Sequence, residues 1–179
     1  MLIDDEVPAD REAVRAVVRA AFASDGDHVV DLLDGLQSSS AARPGLSLVA
    51  REAGSVVGHV LLTRSWLDAP QRLLEVLVLS PLAVAPDAQR RGVGTALVGA
   101  ALARAEDQGW PLVFLEGDPA YYGDHGFVAA GTRGFTSPTD RIPEPAFQVA
   151  VLAAHRPWMT GRLVYADPFW VHDAAGLRL

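Results

Sequence analysis

The chain has 179 residues and a mass of 19.0 kDa, about one domain's worth, and half of its residues are apolar, enough for a sizeable core. Its formal charge of −7 has the wrong sign for a broad polyanion-binding face, so no nucleic-acid partner is expected. Its fifteen Lys/Arg residues are all arginine and cysteine is absent, which excludes a Walker-type phosphate lysine, a lysine Schiff base, thiolate catalysis and Cys-ligated metals.

The acidic start, Met1-Leu2-Ile3-Asp4-Asp5-Glu6, lacks the basic and then apolar pattern of an export signal. Apolar stretches such as Val76 to Leu79 and Val149 to Ala154 fall far short of the ~20 residues that cross a bilayer. A cytoplasmic protein with no membrane partner is the expectation.

From Asp10 to Phe22, Val14, Val17, Val18 and Ala21 recur at helical spacing with arginines between them, which predicts an amphipathic helix. A second helix is expected from Asp27 to Leu36, before the Ser38-Ser39-Ser40 stretch. Leu46 to Arg51 and Ser55 to Trp66 read as antiparallel strands joined by a hairpin turn at Glu52-Ala53-Gly54. Arg72 to Val84 is a longer strand, apolar on both faces and interrupted at Pro81, which suits a central place in a sheet. A helix from Gly92 to Gln108 is stopped by Gly109. Leu112 to Leu115 follows as a buried strand. Asp118-Pro119 then reads as an N-cap and first helical position of a short helix ending at Gly123. Phe127 to Thr132 and Ala146 to Leu152 are expected to close the sheet, and Tyr165, Phe169 and Trp170 to complete the core. No linker divides the chain, so one domain spanning residues 1–179 is expected.

Gln89-Arg90-Arg91-Gly92-Val93-Gly94-Thr95 is an unusual helix start. Two arginines lie at the positive end of the helix dipole, and each glycine costs ~1 kcal/mol relative to alanine. A bound phosphate would compensate for both, since free N–H groups and arginines would point at it and glycine lets the backbone approach. The plain alternative is a strand-to-helix loop with solvated arginines. The Gly-x-Gly-x-x-Gly pattern of dinucleotide sites is absent, because Leu97 stands in place of the third glycine.

A Gln-x-x-Gly-x-Gly element after Leu82-Ala83-Val84-Ala85-Pro86 resembles the GNAT superfamily of acyl-CoA-dependent N-acetyltransferases. A second element agrees in order and spacing: Tyr122-Gly123-Asp124-His125-Gly126-Phe127 is similar to the family's Tyr-x-x-x-Gly-Phe. The resemblance implies an α/β fold with a central mixed β-sheet, a bulged fourth strand and flanking helices. It implies acetyl-CoA as cosubstrate and no metal, with a small-molecule primary amine as acceptor in a monomer or homodimer. The alternatives are a protein acetyltransferase and a non-catalytic acyl-CoA-binding module.

Carried over position by position, the resemblance implies that the Leu82 N–H meets the thioester carbonyl, while Ala83 and Val84 line the pantetheine. It also implies that the loop of Gln89, Arg90, Arg91, Gly92, Val93, Gly94 and Thr95 holds the pyrophosphate. Tyr122 aligns with the family's proton donor to the departing thiolate, a role open to a phenol of pKa near ~10 facing a thiol near ~8.5. A half-buried structural tyrosine is the alternative, and Tyr121 is expected to pack. The position where some members carry a glutamate base holds Val78, which leaves Glu75, Glu116, Asp118 and His125 as nearby candidates. His28, His59, His155 and His172 have no metal spacing and read as structural.

Overall fold

The computed structural model describes residues 1–176. They form nine strands, β1 (Leu2–Asp5), β2 (Ser47–Glu52), β3 (Ser55–Asp68), β4 (Leu73–Val84), β5 (Leu112–Glu116), β6 (Val128–Ala129), β7 (Phe135–Thr136), β8 (Phe147–Val151) and β9 (Gly161–Val164). The α-helices are α1 (Arg11–Phe22), α2 (Gly26–Ser38), α3 (Val93–Asp107), α4 (Pro119–Tyr122) and α5 (Asp167–Val171). The hydrogen-bonded strand order is β1-β2-β3-β4-β5-β8-β6, with β9 beside β3 and β7 beside β9. Two pairings, β4 with β5 and β7 with β9, are parallel, so the sheet is mixed. None of the helices among the described residues is long and apolar enough to cross a membrane.

The chain clusters into two compact units, and β3 and β4 each run through both. The first contains Met1–Thr63 and Leu79–Arg104. Its hairpin from β2 to β3 turns on Ala53 and Gly54, whose φ values of 47° and 83° are the two left-handed residues of a tight hairpin loop. Gly58 of β3 faces α3: a Cβ there would lie 2.8 Å from Leu97 Cδ1 and 3.0 Å from Val93 Cγ1. The missing side chain lets the helix start pack directly on the strand. Residue alternation turns His59 to the opposite face, where Gln37 of α2 donates to Glu6, and Glu6 in turn meets His59. The sheet of this unit is thus covered by helices on both faces, with Val14, Val18, Leu33, Leu36, Val60 and Leu97 buried in its core.

The second unit contains Arg64–Val78 and the residues from Ala105 onward. Here β4 and β5 pair in parallel at Leu77 with Val113 and Val78 with Phe114. β5 pairs antiparallel with β8 from Leu112 opposite Val151 to Glu116 opposite Phe147. Phe114 anchors the core, edge-on to Phe135 at 5.0 Å and stacked on Phe147 at 5.7 Å.

The three long helices and both central strands lie within a few residues of their predicted bounds, and Gly109, with φ of 78°, ends α3 as expected. Three expectations change. The predicted strand from Phe127 to Thr132 is cut to Val128–Ala129, because Ala130–Arg133 turns into a 3-10 helix. β4 runs on through Pro81, whose peptide bond with Ser80 is cis. β4 is buried without a break from Val76 to Leu79, and beyond that the buried positions alternate through Pro81 and Ala83. Tyr165 and Phe169 are buried as expected, but Trp170 is exposed.

Candidate active site

The strand-to-helix loop lies wholly in the first unit. Ala85 leaves β4 by donating its N–H to Val57 O at 2.9 Å, and Pro86–Ala88 forms a 3-10 turn closed by Ala88 N–H on Ala85 O. The Gln89 side chain reaches back to donate to Val84 O at 3.1 Å. Arg90 and Gly92 both have left-handed backbones, with φ of 58° and 85°. Gly92 is where this conformation requires glycine, since a Cβ costs roughly 1–2 kcal/mol there. Its carbonyl accepts the N–H of Ala96 at 3.0 Å, which makes Gly92 the N-cap of α3.

The N–H groups of Val93, Gly94 and Thr95 occupy the first helical turn and therefore have no intrahelical acceptor. Nothing lies within 4 Å of the point where a Cβ would stand on Gly92, so an anion can approach the backbone closely. Buried Val93 anchors the turn, while Gln89, Arg90, Arg91, Gly92 and Thr95 are exposed. The two arginines differ. Arg91 is paired with Glu52 at 2.9 Å, while Arg90 has no carboxylate partner among the described residues. One uncompensated cation and a set of free N–H groups make the loop receptive to an anion. Immediately before it, Leu82 and Val84 are half-buried and Ala83 is buried, so the residues expected to meet the thioester carbonyl and the pantetheine share the unit with the loop.

The Tyr122 element belongs to the second unit. Asp118 caps α4 as predicted, its Oδ1 accepting Ala120 N–H at 2.9 Å, with Pro119 in the first helical position. The helix passes into a 3-10 turn at Gly123–His125, and Gly126, with φ of 84°, reverses the chain into buried Phe127. The Tyr122 ring lies over Gly117, where a Cβ would stand 2.5 Å from Cε2, and meets Phe127 edge-on at 5.7 Å. Burial, helped by the neighbouring Tyr121, pushes its phenol up to about 12. Tyr121, expected to pack, is exposed and set edge-on between Tyr122 and His125.

Of the candidates for a base, Asp118 caps α4 and His125 stands edge-on to Tyr121 in the turn that follows it. Val78 is buried and inert. Glu75 pairs with Arg64 at 3.7 Å. Glu116 accepts the Gly176 N–H at 3.3 Å, and loss of solvation raises its carboxyl against the opposing influence of that bond and of Arg141. The sequence reading took His59 as structural and did not connect it with Glu6 and Ser47, which β1, β2 and β3 bring to it from positions up to 53 residues apart.

A mixed sheet that feeds a Gln-x-x-Gly-x-Gly loop into a helix is the architecture of an acyl-CoA transferase fold, and comparison with known proteins makes the assignment definite. The chain belongs to the Acetyltransferase (GNAT) family, whose model matches residues 11–131. It is 35% identical over 164 residues to the uncharacterized N-acetyltransferase YjhQ of Escherichia coli (strain K12), covering 89% of each chain. It is 32% identical over 155 residues to the uncharacterized N-acetyltransferase YhbS of the same strain, covering 86% of this chain and 88% of that one. The crystal structure of YhbS from Escherichia coli in complex with CoA superposes with a TM-score of 0.83 at 30% identity, covering 94% of this chain and 91% of that one. A GNAT family acetyltransferase from Brucella melitensis in complex with acetyl-CoA gives a TM-score of 0.74 at 28% identity, covering 94% and 97%.

Proposed function

We propose that the protein is an acetyl-CoA-dependent N-acetyltransferase that acylates a small primary amine by direct attack. The observation that carries this reading is the loop, where a left-handed Gly92 with open space above it precedes a helix start of free N–H groups beside Arg90, which has no carboxylate partner among the described residues. The CoA and acetyl-CoA complexes of the two solved relatives support the same choice of cosubstrate. When bound, acetyl-CoA supplies an activated acyl group with a thiolate as leaving group.

In this reading the N–H groups from Arg90 to Thr95 and the Arg90 guanidinium hold the pyrophosphate, and Gln89 secures the loop through its bond to Val84 O. The Leu82 N–H serves the thioester carbonyl, where such a donor can be worth ~2.7 to 4 kcal/mol, and the backbone of Ala83 and Val84 serves the pantetheine amides. Tyr122 serves the departing sulfur. With its phenol at about 12 it remains protonated throughout the neutral range. Complete transfer of its proton to the thiolate, whose thiol has a pKa near ~8.5, would run roughly 5 kcal/mol uphill. Its role is therefore to donate a hydrogen bond to charge as it develops on sulfur. A cytoplasmic location, a single domain and a monomer or homodimer complete the proposal.

Calorimetric titration with acetyl-CoA, followed by thiol release against a panel of primary amines in the same preparation, tests it. Binding with turnover is the expected result. Binding without turnover on any amine would favour a non-catalytic acyl-CoA-binding module, the reading that Val78 in place of a glutamate supports. Failure to bind would remove the assignment of the loop.

A further inference from the structure

The first unit contains a second polar centre, built on the other face of its sheet from Gly58. Glu6 follows β1 and is fixed there by its N–H on Ser47 O at 2.9 Å. Its side chain is only 6% exposed. Three donors converge on one of its oxygens: Gln37 Nε2 at 2.6 Å, His59 Nε2 at 3.2 Å and the Ser47 hydroxyl all meet Oε2. Oε1 has no protein donor among the described residues. Burial opposes ionisation of this group, but the bonds from His59 and Ser47 outweigh it and hold the carboxyl below its ordinary range.

His59 itself is fully buried, and its Nδ1 has no partner among the described residues. An Nε2–H tautomer fits this, since a bare Nδ1 lone pair is less costly to bury than an unmatched donor. The Nε2–H is then shared between the Ser47 hydroxyl oxygen at 2.9 Å and Oε2 at 3.2 Å, and Oε1 is left alone. A carboxylate oxygen without a protein donor is open to a cation, whose charge would offset the cost of keeping Glu6 ionised in a largely buried side chain.

Glu6 opens onto a cavity of about 230 Å³, lined also by Arg11, Gln37, Arg43 and Ser47. At ~30 Å³ per water this has room for roughly seven waters, or one small molecule. Arg11 is exposed and has no carboxylate partner among the described residues. Arg43 lines the same cavity while donating to the carbonyls of Ser40 at 2.8 Å and Ala42 at 2.9 Å. The cavity thus presents a buried anion and, on its lining, exposed cationic charge. A divalent metal, which takes six or more oxygens, is poorly matched by one free carboxylate oxygen and a hydroxyl.

We propose that this cavity binds a small amino-carboxylate zwitterion, such as a free α-amino acid, with its ammonium on Glu6 Oε1 and its carboxylate against Arg11. The site requires no acetyl-CoA, so it stands or falls apart from the proposed acetyltransfer.

Calorimetric titration of the protein alone with glycine, L-alanine and L-serine tests it, with methylamine and acetate as probes of each charge separately. At least one amino acid should bind more tightly than either probe. Glu6→Gln and Arg11→Ala should each weaken that binding by about tenfold or more, the range of a lost charge-assisted hydrogen bond. Arg11 is exposed, so its variant keeps the fold even if removing the charge from the Glu6 cluster does not. No binding by any of the three amino acids, equal binding of methylamine, or unchanged affinity in Arg11→Ala would each overturn the proposal. Incubating the bound amino acid with acetyl-CoA then separates its uses: an N-acetyl product makes the cavity the acceptor site, and unchanged amino acid makes it a regulatory one.

Discussion

The loop from Gln89 to Thr95 and the turn from Gly117 to Phe127 each follow a strand, yet they are built from different materials. The loop is made of backbone: two left-handed residues, free N–H groups and mostly exposed side chains, held by buried Val93 and the Gln89 bond to Val84. The turn is made of packed rings, with Tyr122 over Gly117 and against Phe127. Side chains in the loop can therefore be exchanged with little effect on folding. In the turn one ring is asked to pack and to donate a hydrogen bond, so only a replacement that preserves packing can separate the two.

Tyr122→Phe is that replacement, and it carries the largest expected effect. It keeps the ring over Gly117 and removes only the hydroxyl, so turnover should fall by about 100-fold or more, the scale of a lost donor to developing charge, while acetyl-CoA affinity stays near wild type. The pH profile sharpens the point. A donor at about 12 gives no falling alkaline limb below pH 10, and a limb between pH 8 and 9 that vanishes in the variant would show that a much more acidic Tyr122 does the work. Folding gives an independent reading with a fixed sign. The folded pKa lies above the unfolded value near ~10, so this contribution to stability is complete below pH 10 and is lost as pH rises towards 12. Denaturant melts of the Phe variant should lack that loss.

The loop is expected to yield a smaller effect. Gly92→Glu places a carboxylate where the pyrophosphate is proposed to lie and should weaken acetyl-CoA binding by at least about tenfold. Its left-handed φ of 85° adds strain of roughly 1–2 kcal/mol, so the variant confuses two causes. Thr95→Glu separates them. Thr95 is exposed in the third position of α3, where an acidic side chain stabilises a helix by ~0.3–1 kcal/mol. The expected outcome is a higher melting temperature with weaker binding. Equal affinity in both variants would mean that the loop holds no anion.

The same contrast explains what was legible in the sequence. Helices α1 and α2 bury one stripe each, so Val14, Val17, Val18, Leu32, Leu33 and Leu36 expose the 3.6-residue period. The two site elements were legible for a different reason: glycines at forced backbone positions and a tyrosine at fixed spacing leave marks in the sequence itself. β6, β7 and β9 span only two to four residues each, too few for a two-residue alternation to stand out. β1 is acidic and mostly exposed, so it shows no alternation at all. Glu6 and His59 left no mark because the register of three strands, rather than any local pattern, brings them together.

The smallest expected effect concerns the two arginines. Arg91 and Glu52 are within 2.9 Å of each other, so their charges largely cancel at the loop, whereas Arg90 is uncompensated among the described residues. If the loop works through charge as well as backbone, Arg90→Ala should loosen acetyl-CoA binding and Glu52→Ala, by releasing Arg91, should tighten it. Each change should be roughly two- to five-fold, the range of an exposed charge pair. Both should shrink as salt is raised, since charges on the surface are screened over about 10 Å at 0.1 M. A neutral Glu52→Ala would show that Arg91 points away from the anion. In that case backbone N–H groups and Arg90 carry the phosphate contacts, and the contrast between a loop made of backbone and a turn made of rings becomes sharper still.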